Sequence, residues 1–184
     1  MNYWKGFWGH LRTVTTHKYN VFKLAVRCGI FWQGVTHDMS KFSPVEFKAG
    51  VKYFAGDHSP NNGERIAKGY SMSWMHHKGR NKHHYEFWND YSLEPPHEIV
   101  PVKMPRKYLI EMFCDRVAAG KTYRKELYTD DYPLKYFEKG MHRREIHPET
   151  AKELYELLKM LADKGEKETL AYIRATNKSV NKSR

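Results

Sequence analysis

The sequence predicts an all-α protein: a helical bundle with a C-terminal helical extension. Three observations carry that reading. Over residues 3–27, Phe7, Leu11, Val14, Val21, Leu24 and Ala25 recur at helical spacing. Ser43-Pro44-Val45-Glu46 puts serine at an N-cap, proline at N1 and glutamate at N3, a strong helix start. Pro105 opens a third run, with Tyr108, Leu109, Met112, Phe113 and Val117 facing inward.

The remaining elements follow in order. Gly29 terminates the first helix. The run IFWQGVTH, from Ile30 to His37, suits a short helix that tolerates Gly34. The helix begun at Ser43 carries Phe47, Val51 and Phe54 and ends near Gly56. GDHSPNNG, residues 56–63, is a loop by composition. A long helix is expected over about 64–91, with Gly69 and Gly79 as its weak points. EPPHEIVPVKMP is extended or irregular, because each proline restricts the residue before it. Gly120 is a plausible end for the helix opened by Pro105. A short helix is expected over 133–140, and another from Pro148 with Leu154, Leu157, Leu158 and Leu161 inward. A last helix covers about 166–175. The chain reads as one domain, 1–184: a core over about 5–120, a helical extension over about 121–175 and a basic tail, 176–184. RATNKSVNKSR has the composition of a frayed end.

With 184 residues and 40% hydrophobic content, the chain can bury a sizeable core, which excludes wholesale disorder. No apolar stretch is long enough to span a membrane. Lys and Arg total 32 against 21 Asp and Glu, a formal charge of +11 that favours anionic partners without choosing among them. Cys28 and Cys114 lack zinc-ribbon spacing, and the first residues lack a signal-peptide pattern, so a cytoplasmic location is expected (host cytoplasm if phage-encoded). No P-loop, dinucleotide fingerprint or serine elbow is present.

The unusual feature is eleven histidines, eight of them before residue 85. His37-Asp38 offers two adjacent ligands, and the carboxylate is able to bridge two ions. In WMHHKGRNKHHYEFW, His77, Asn81, His84 and Trp88 share one face if the segment is helical. His76 and His83 then share the adjoining face, as second-shell groups or substrate contacts. His17 lies on the first helix. Asp115 follows Glu111 by four, among Met112, Phe113 and Val117, where a buried carboxylate needs a partner. The metal-ligand candidates are thus His17, His37, Asp38, His77, His84 and Asp115. His10, His58, His97, His142 and His147 read as ordinary surface or capping histidines. Trp74 and Trp88 read as packing residues.

These residues resemble the HD-domain superfamily of metal-dependent phosphohydrolases: an early histidine (His17), a His-Asp pair (His37-Asp38) and a late aspartate (Asp115). HDMSK also looks like the His-Asp-x-x-Lys form of its binuclear members. The resemblance implies an HD-domain-like helical bundle. More closely, the chain resembles an uncharacterised DUF5662-like family of bacterial and phage proteins. The likeness lies in His17, the segment from His37 to Phe47, the segment from Trp74 to His84, and Glu111 to Asp115. It covers roughly residues 5–160.

The expected function is a metal-dependent phosphohydrolase acting on a nucleotide or other phosphoester through a metal-activated water. His17, His37, Asp38 and Asp115 would take one ion, and Asp38 would bridge to a second held by His77 and His84. Lys41 would neutralise phosphoryl oxygens, with Arg80 the next candidate; His83 would protonate the leaving group. Asn81 would orient a ligand or hold a water. Glu111 would support Asp115, or act as base if one ion binds. The mixed ligands suit one or two ions of manganese, iron, cobalt, nickel or zinc better than magnesium alone. Arg106, Lys107, Arg116, Lys121, Arg124 and Lys125 would steer the anion. The alternatives are a metal-dependent nuclease, a di-iron oxygenase, or a non-enzymatic nucleic-acid-binding or host-interaction protein with a structural metal. Exposed aromatics near Trp4 and Trp8 suit a homodimer contact.

Overall fold

The computed structural model describes residues 3–140 and 145–182. Among them are eight α-helices: α1 (Tyr3–Cys28), α2 (Phe31–Thr36), α3 (Pro44–Lys52), α4 (Pro60–Lys68), α5 (Met72–Lys78), α6 (Arg106–Arg124), α7 (Tyr132–Lys139) and α8 (Pro148–Lys182). The chain is an all-α bundle with one small antiparallel hairpin, β1 (Asn89–Tyr91) on β2 (Ile99–Pro101), in which Asp90 faces Val100. No described helix is long and apolar enough to cross a membrane.

Helix α6 is the central element. Leu109, Ile110, Met112, Phe113, Cys114, Val117 and Ala118 are buried around most of its circumference. A helix apolar on nearly all sides must be surrounded, and α6 packs against α1, α7 and α8. Val21, Leu24 and Ala25 of α1 and Leu154, Leu158, Leu161, Leu170 and Ile173 of α8 belong to one continuous core with it. Glu111 and Asp115 are carried on this rigid helix, and His17 projects from α1, which lies against it.

The helix starts follow the local chemistry. Ser43 Oγ accepts from the Glu46 N–H at 3.4 Å, with Pro44 at N1. Pro105 stands immediately before α6. Gly29 adopts φ +80° and ends α1, the left-handed conformation that glycine reaches without a Cβ clash. Helix α6, in contrast, runs through Gly120 to Arg124.

Three further expectations are overturned. The long helix over 64–91 is broken: α4 ends at Gly69 (φ +81°), α5 ends at Lys78, and the chain then turns. The Asn81 amide donates to the His77 carbonyl at 2.8 Å, satisfying a helix-end acceptor from beyond the helix. Part of the expected 56–63 loop is helical, since Ser59-Pro60 is itself a start signal for α4. The expected frayed tail also continues as helix to Lys182. Arg106 donates to Thr176 at 2.8 Å, and Asn177 donates to the Cys28 carbonyl at 3.0 Å, so the basic tail is docked at its start. A change of direction at Gly165 (φ +78°) separates the two parts of α8 near the expected 166 start.

Helix α2 sets the approach to His37. A Cβ on Gly34 would stand 2.8 Å from the Ala25 Cβ and 3.3 Å from the Phe22 Cα. Gly34→Ala should therefore push α2 from α1 and destabilise the fold by about 1–3 kcal/mol. Urea denaturation measures this; an unchanged midpoint would contradict the close approach.

Candidate metal centre

Asp38 occupies the middle of the histidine cluster. Its backbone is left-handed (φ 54°, ψ 25°), which costs an L-residue about 1–2 kcal/mol, although aspartate tolerates it better than most. The turn follows α2 and leads directly into the short helical turn Met39–Phe42. It leaves the Asp38 side chain 1% exposed.

Imidazoles surround both carboxylate oxygens. Asp38 Oδ2 lies 3.3 Å from His37 Nε2 and 3.8 Å from His17 Nε2. Asp38 Oδ1 lies 3.3 Å from His77 Nε2 and 3.4 Å from His83 Nε2. Asp115 Oδ1 approaches His17 Nε2 at 3.0 Å and His37 Nε2 at 3.7 Å. Two ligand groups result, each with its donor atoms within 4.8 Å of one another: His17, His37, Asp38 and Asp115; and Asp38, His77, His83 and His84. Asp38 belongs to both.

The donor atoms fit a metal better than they fit one another. Asp38 Oδ1 and Oδ2, and Nε2 of His17, His37, His83 and His84, are enclosed without a well-formed hydrogen bond. Lys41 Nζ meets Asp38 Oδ2 only as an ion pair, at 2.6 Å. Buried polar atoms left in this way are costly, and a divalent ion would satisfy several at once. These clusters can therefore coordinate divalent metal; their imidazole-rich donors are the type that transition ions favour.

The opposite ring nitrogens are held by carboxylates. Glu111 Oε1 lies 3.0 Å from both His37 Nδ1 and His83 Nδ1. A third ligand-type grouping, His37, His83 and Glu111, is thus explained as a shared hydrogen-bond acceptor. Glu46 holds His77 Nδ1 at 2.7 Å through one oxygen and His76 Nδ1 at 2.6 Å through the other. Such partners turn Nε2 toward the ion and raise the basicity of the ring. Ser40 Oγ accepts from the Asn81 amide at 2.8 Å and lies 3.3 Å from His77 Nδ1.

Burial and neighbouring charge divide the histidines. Burial lowers the pKa of His84, and the charges of His83 and His77 push it further down. Burial also lowers His17, reinforced by Lys41. For His37 and His77 burial acts in the same downward direction, but the charge of Asp38 and their carboxylate contacts outweigh it, so both are raised. Asp38 and Asp115 are held well below the usual carboxylate range despite burial, Asp38 by His37 and Lys41 and Asp115 by His17 and His37.

The cluster forms part of the wall of a cavity of about 510 Å³. His17, Asp38, His77, His84 and Asp115 reach its surface, whereas His37, His83 and Glu111 are not among its lining residues. Lys41, Arg65 and Arg116 also line it, and the Arg65 guanidinium lies 5.6 Å from the Trp74 ring centre. Trp74 in turn packs edge-on against His84, with ring centres 4.8 Å apart.

This geometry revises several sequence expectations. His83 is 1% exposed and sits in a ligand group, so it has no access to a leaving group. Arg80 is exposed, does not line the cavity, and directs its guanidinium to the His76 carbonyl. Glu111 supports His37 and His83 rather than Asp115. Of the six basic residues expected to steer an anion, only Arg116 lines the cavity; Arg106 pairs with Glu153 and Lys121 with Glu166. Trp88 turns away, its indole donating to the Lys82 carbonyl at 2.7 Å. Because residues 79–84 form turns, adjacent His83 and His84 both face the cluster, which a continuous helix would have prevented.

His58 and His97 are exposed, and His147 accepts from the Glu149 N–H near the start of α8 at 3.2 Å. His142 lies outside the described residues. His10 is not a surface histidine: it is 7% exposed and lines the cavity. Sequence reasoning missed the role of Glu46, which it treated only as a helix-start residue. It also missed Arg65.

Two predictions follow from the carboxylate supports. Glu46→Gln should weaken the ligand group containing His77 by about 10–100-fold, whereas Glu111→Gln should weaken both groups, because it holds one histidine of each. Calorimetric manganese titration resolves the two patterns; identical losses in both variants would contradict the assignment. Metal affinity should also fall as pH drops, beginning above the ordinary histidine pKa, since the raised His37 and His77 must each release a proton to bind. Proton release measured in buffers of different ionisation enthalpy checks the sign, and zero release at neutral pH would refute it.

No curated protein matches the chain. No solved structure matches it. A model of a family of unknown function, DUF5662, matches residues 6–160, and the chain belongs to that family.

Proposed function

We propose that the protein is a metal-dependent phosphoester hydrolase acting on a small phosphorylated molecule. The observation that carries this reading is the one-sided exposure of the ligand cluster. His37 and His83 lie behind Asp38, while His17, Asp38, His77, His84 and Asp115 face the cavity. A purely structural metal site is closed by its protein ligands, whereas a reactive one keeps an open side. A recess of about 510 Å³ is in the size range of small-molecule sites.

Charge supports an anionic substrate. Asp38, Glu46, Glu111 and Asp115 carry four negative charges against one from Lys41, a balance of −3 with the histidines neutral. Two divalent ions would turn that balance to +1. Beyond Lys41, already in that balance, Arg65 and Arg116 add cationic groups on a cavity wall that also carries Asp57 and Glu86. Ions held by the two groups would supply Lewis acidity toward a phosphoryl oxygen and hydroxide at neutral pH. The protein's own contribution is positional. Glu46 and Glu111 fix the imidazoles, Asp38 ties the two groups together, and the cationic wall orients the ester. The likeness of His17, His37-Asp38 and Asp115 to the HD-domain pattern favours the same chemistry.

The test pairs metal analysis of protein purified without added metal with turnover of a phosphomonoester and phosphodiester panel in manganese, nickel or iron. Asp38→Ala should reduce both metal content and turnover by more than about 100-fold. Full metal content in that variant would remove Asp38 from the centre, and a metal-loaded wild type inert toward the whole panel would reject the hydrolase.

A further inference from the structure

The two ligand groups that share Asp38 are not equivalent, and their donor atoms differ first. Asp38, His77, His83 and His84 offer three imidazoles and one carboxylate. His17, His37, Asp38 and Asp115 offer two imidazoles and two carboxylates. Imidazole suits borderline ions such as zinc, whereas carboxylate oxygen suits harder ions such as manganese and magnesium.

Lys41 adds a second difference. Its ammonium lies 2.6 Å from Asp38 Oδ2, the oxygen that approaches His17 and His37. Asp38 Oδ1 turns instead toward His77 and His83, at 3.3 and 3.4 Å. An ion entering the His17 group therefore meets a positive charge already seated on one of its donors, and has to displace it. Lys41 lines the cavity, so the ammonium has open space into which to withdraw. The support behind the rings differs as well. Glu46 holds His77 Nδ1 at 2.7 Å, and Glu111 lies 3.0 Å from His83 Nδ1. His37 shares the Glu111 support, but His17 Nδ1 is enclosed without a hydrogen bond. An imidazole without such a partner is a less basic and less firmly aimed donor.

We propose that the centre is a mixed one. The His77 group holds a resident ion of zinc type. The His17 group holds a harder, exchangeable ion of manganese type, and Lys41 competes with that ion for Asp38 Oδ2. The proposal rests on the metal centre of the function proposed above, but not on its hydrolysis. One ion stays with the protein, and the free concentration of the second decides how much of the centre is complete. Zinc outranks manganese on both donor sets, so the two groups are told apart when zinc is limiting.

The experiment uses the full chain freed of metal with a chelator. Electron paramagnetic resonance counts bound manganese before and after one equivalent of zinc, and the count should fall from two ions per chain to one. Crystals of the same mixture should show the zinc-edge anomalous peak beside His77, His83 and His84, and manganese beside His17, His37 and Asp115. Lys41→Met should tighten the remaining manganese about tenfold, because the competing charge is gone, and should leave the zinc in place. Lys41→Arg, which keeps the charge, should not tighten it. His84→Asp gives both groups the same donor types and should divide limiting zinc between them. The unaltered chain decides the matter by its peaks if a variant does not fold. Zinc beside His17, zinc shared evenly in the unaltered chain, manganese affinity unchanged or weakened in Lys41→Met, or a chain that binds neither ion would overturn the proposal. Turnover enters none of these readings, so a mixed centre inert toward every phosphoester would reject the hydrolase and leave this proposal standing.

Discussion

The structure around the centre depends on one buried charge, the carboxylate of Asp38. It is 1% exposed, held in a left-handed turn, and has imidazoles from three parts of the chain within 4 Å. A buried carboxylate with only the Lys41 ammonium and loosely directed histidines around it is an expensive arrangement. The fold nevertheless supplies rigid supports for it. His17 comes from α1, His37 and Asp38 from the turn after α2, and Asp115 from α6, whose packing fixes it against α1. The cost is understandable if divalent ions complete the site.

The supports around Asp38 are specialised. Glu111 touches both ligand groups through a single oxygen, whereas Glu46 serves His77 and the neighbouring His76. Asn81 performs two tasks, ending α5 by bonding the His77 carbonyl and reaching Ser40 beside the centre. The local structure of residues 77–84 is thus inseparable from the ligand geometry. The same turn that breaks the helix is what allows two adjacent histidines to point inward.

Much of this was legible from the residues, and the failures have physical reasons. The helices announced by periodicity and caps, α1, α3 and α6, appear where Leu24, Ser43 and Pro105 indicated. The long helix over 64–91 failed because side-chain hydrogen bonds from Asn81 and the left-handed conformation of Gly69 overrode helical propensity. The docking of Asn177 on the Cys28 carbonyl is a contact across 149 residues that local composition does not encode. At the centre, residue types pointed to His17, His37, Asp38 and Asp115, and the structure brings them together. His83 was misjudged because its role depends on the turn, and His10 because burial by Phe47 and Gly50 is a tertiary property.

Anomalous diffraction from crystals soaked in manganese tests the central claim most directly. The account predicts two peaks flanking Asp38, one beside His17, His37 and Asp115, the other beside His77, His83 and His84. A fully ordered centre with no peak at Asp38, or with ions bound only elsewhere on the molecule, would contradict it.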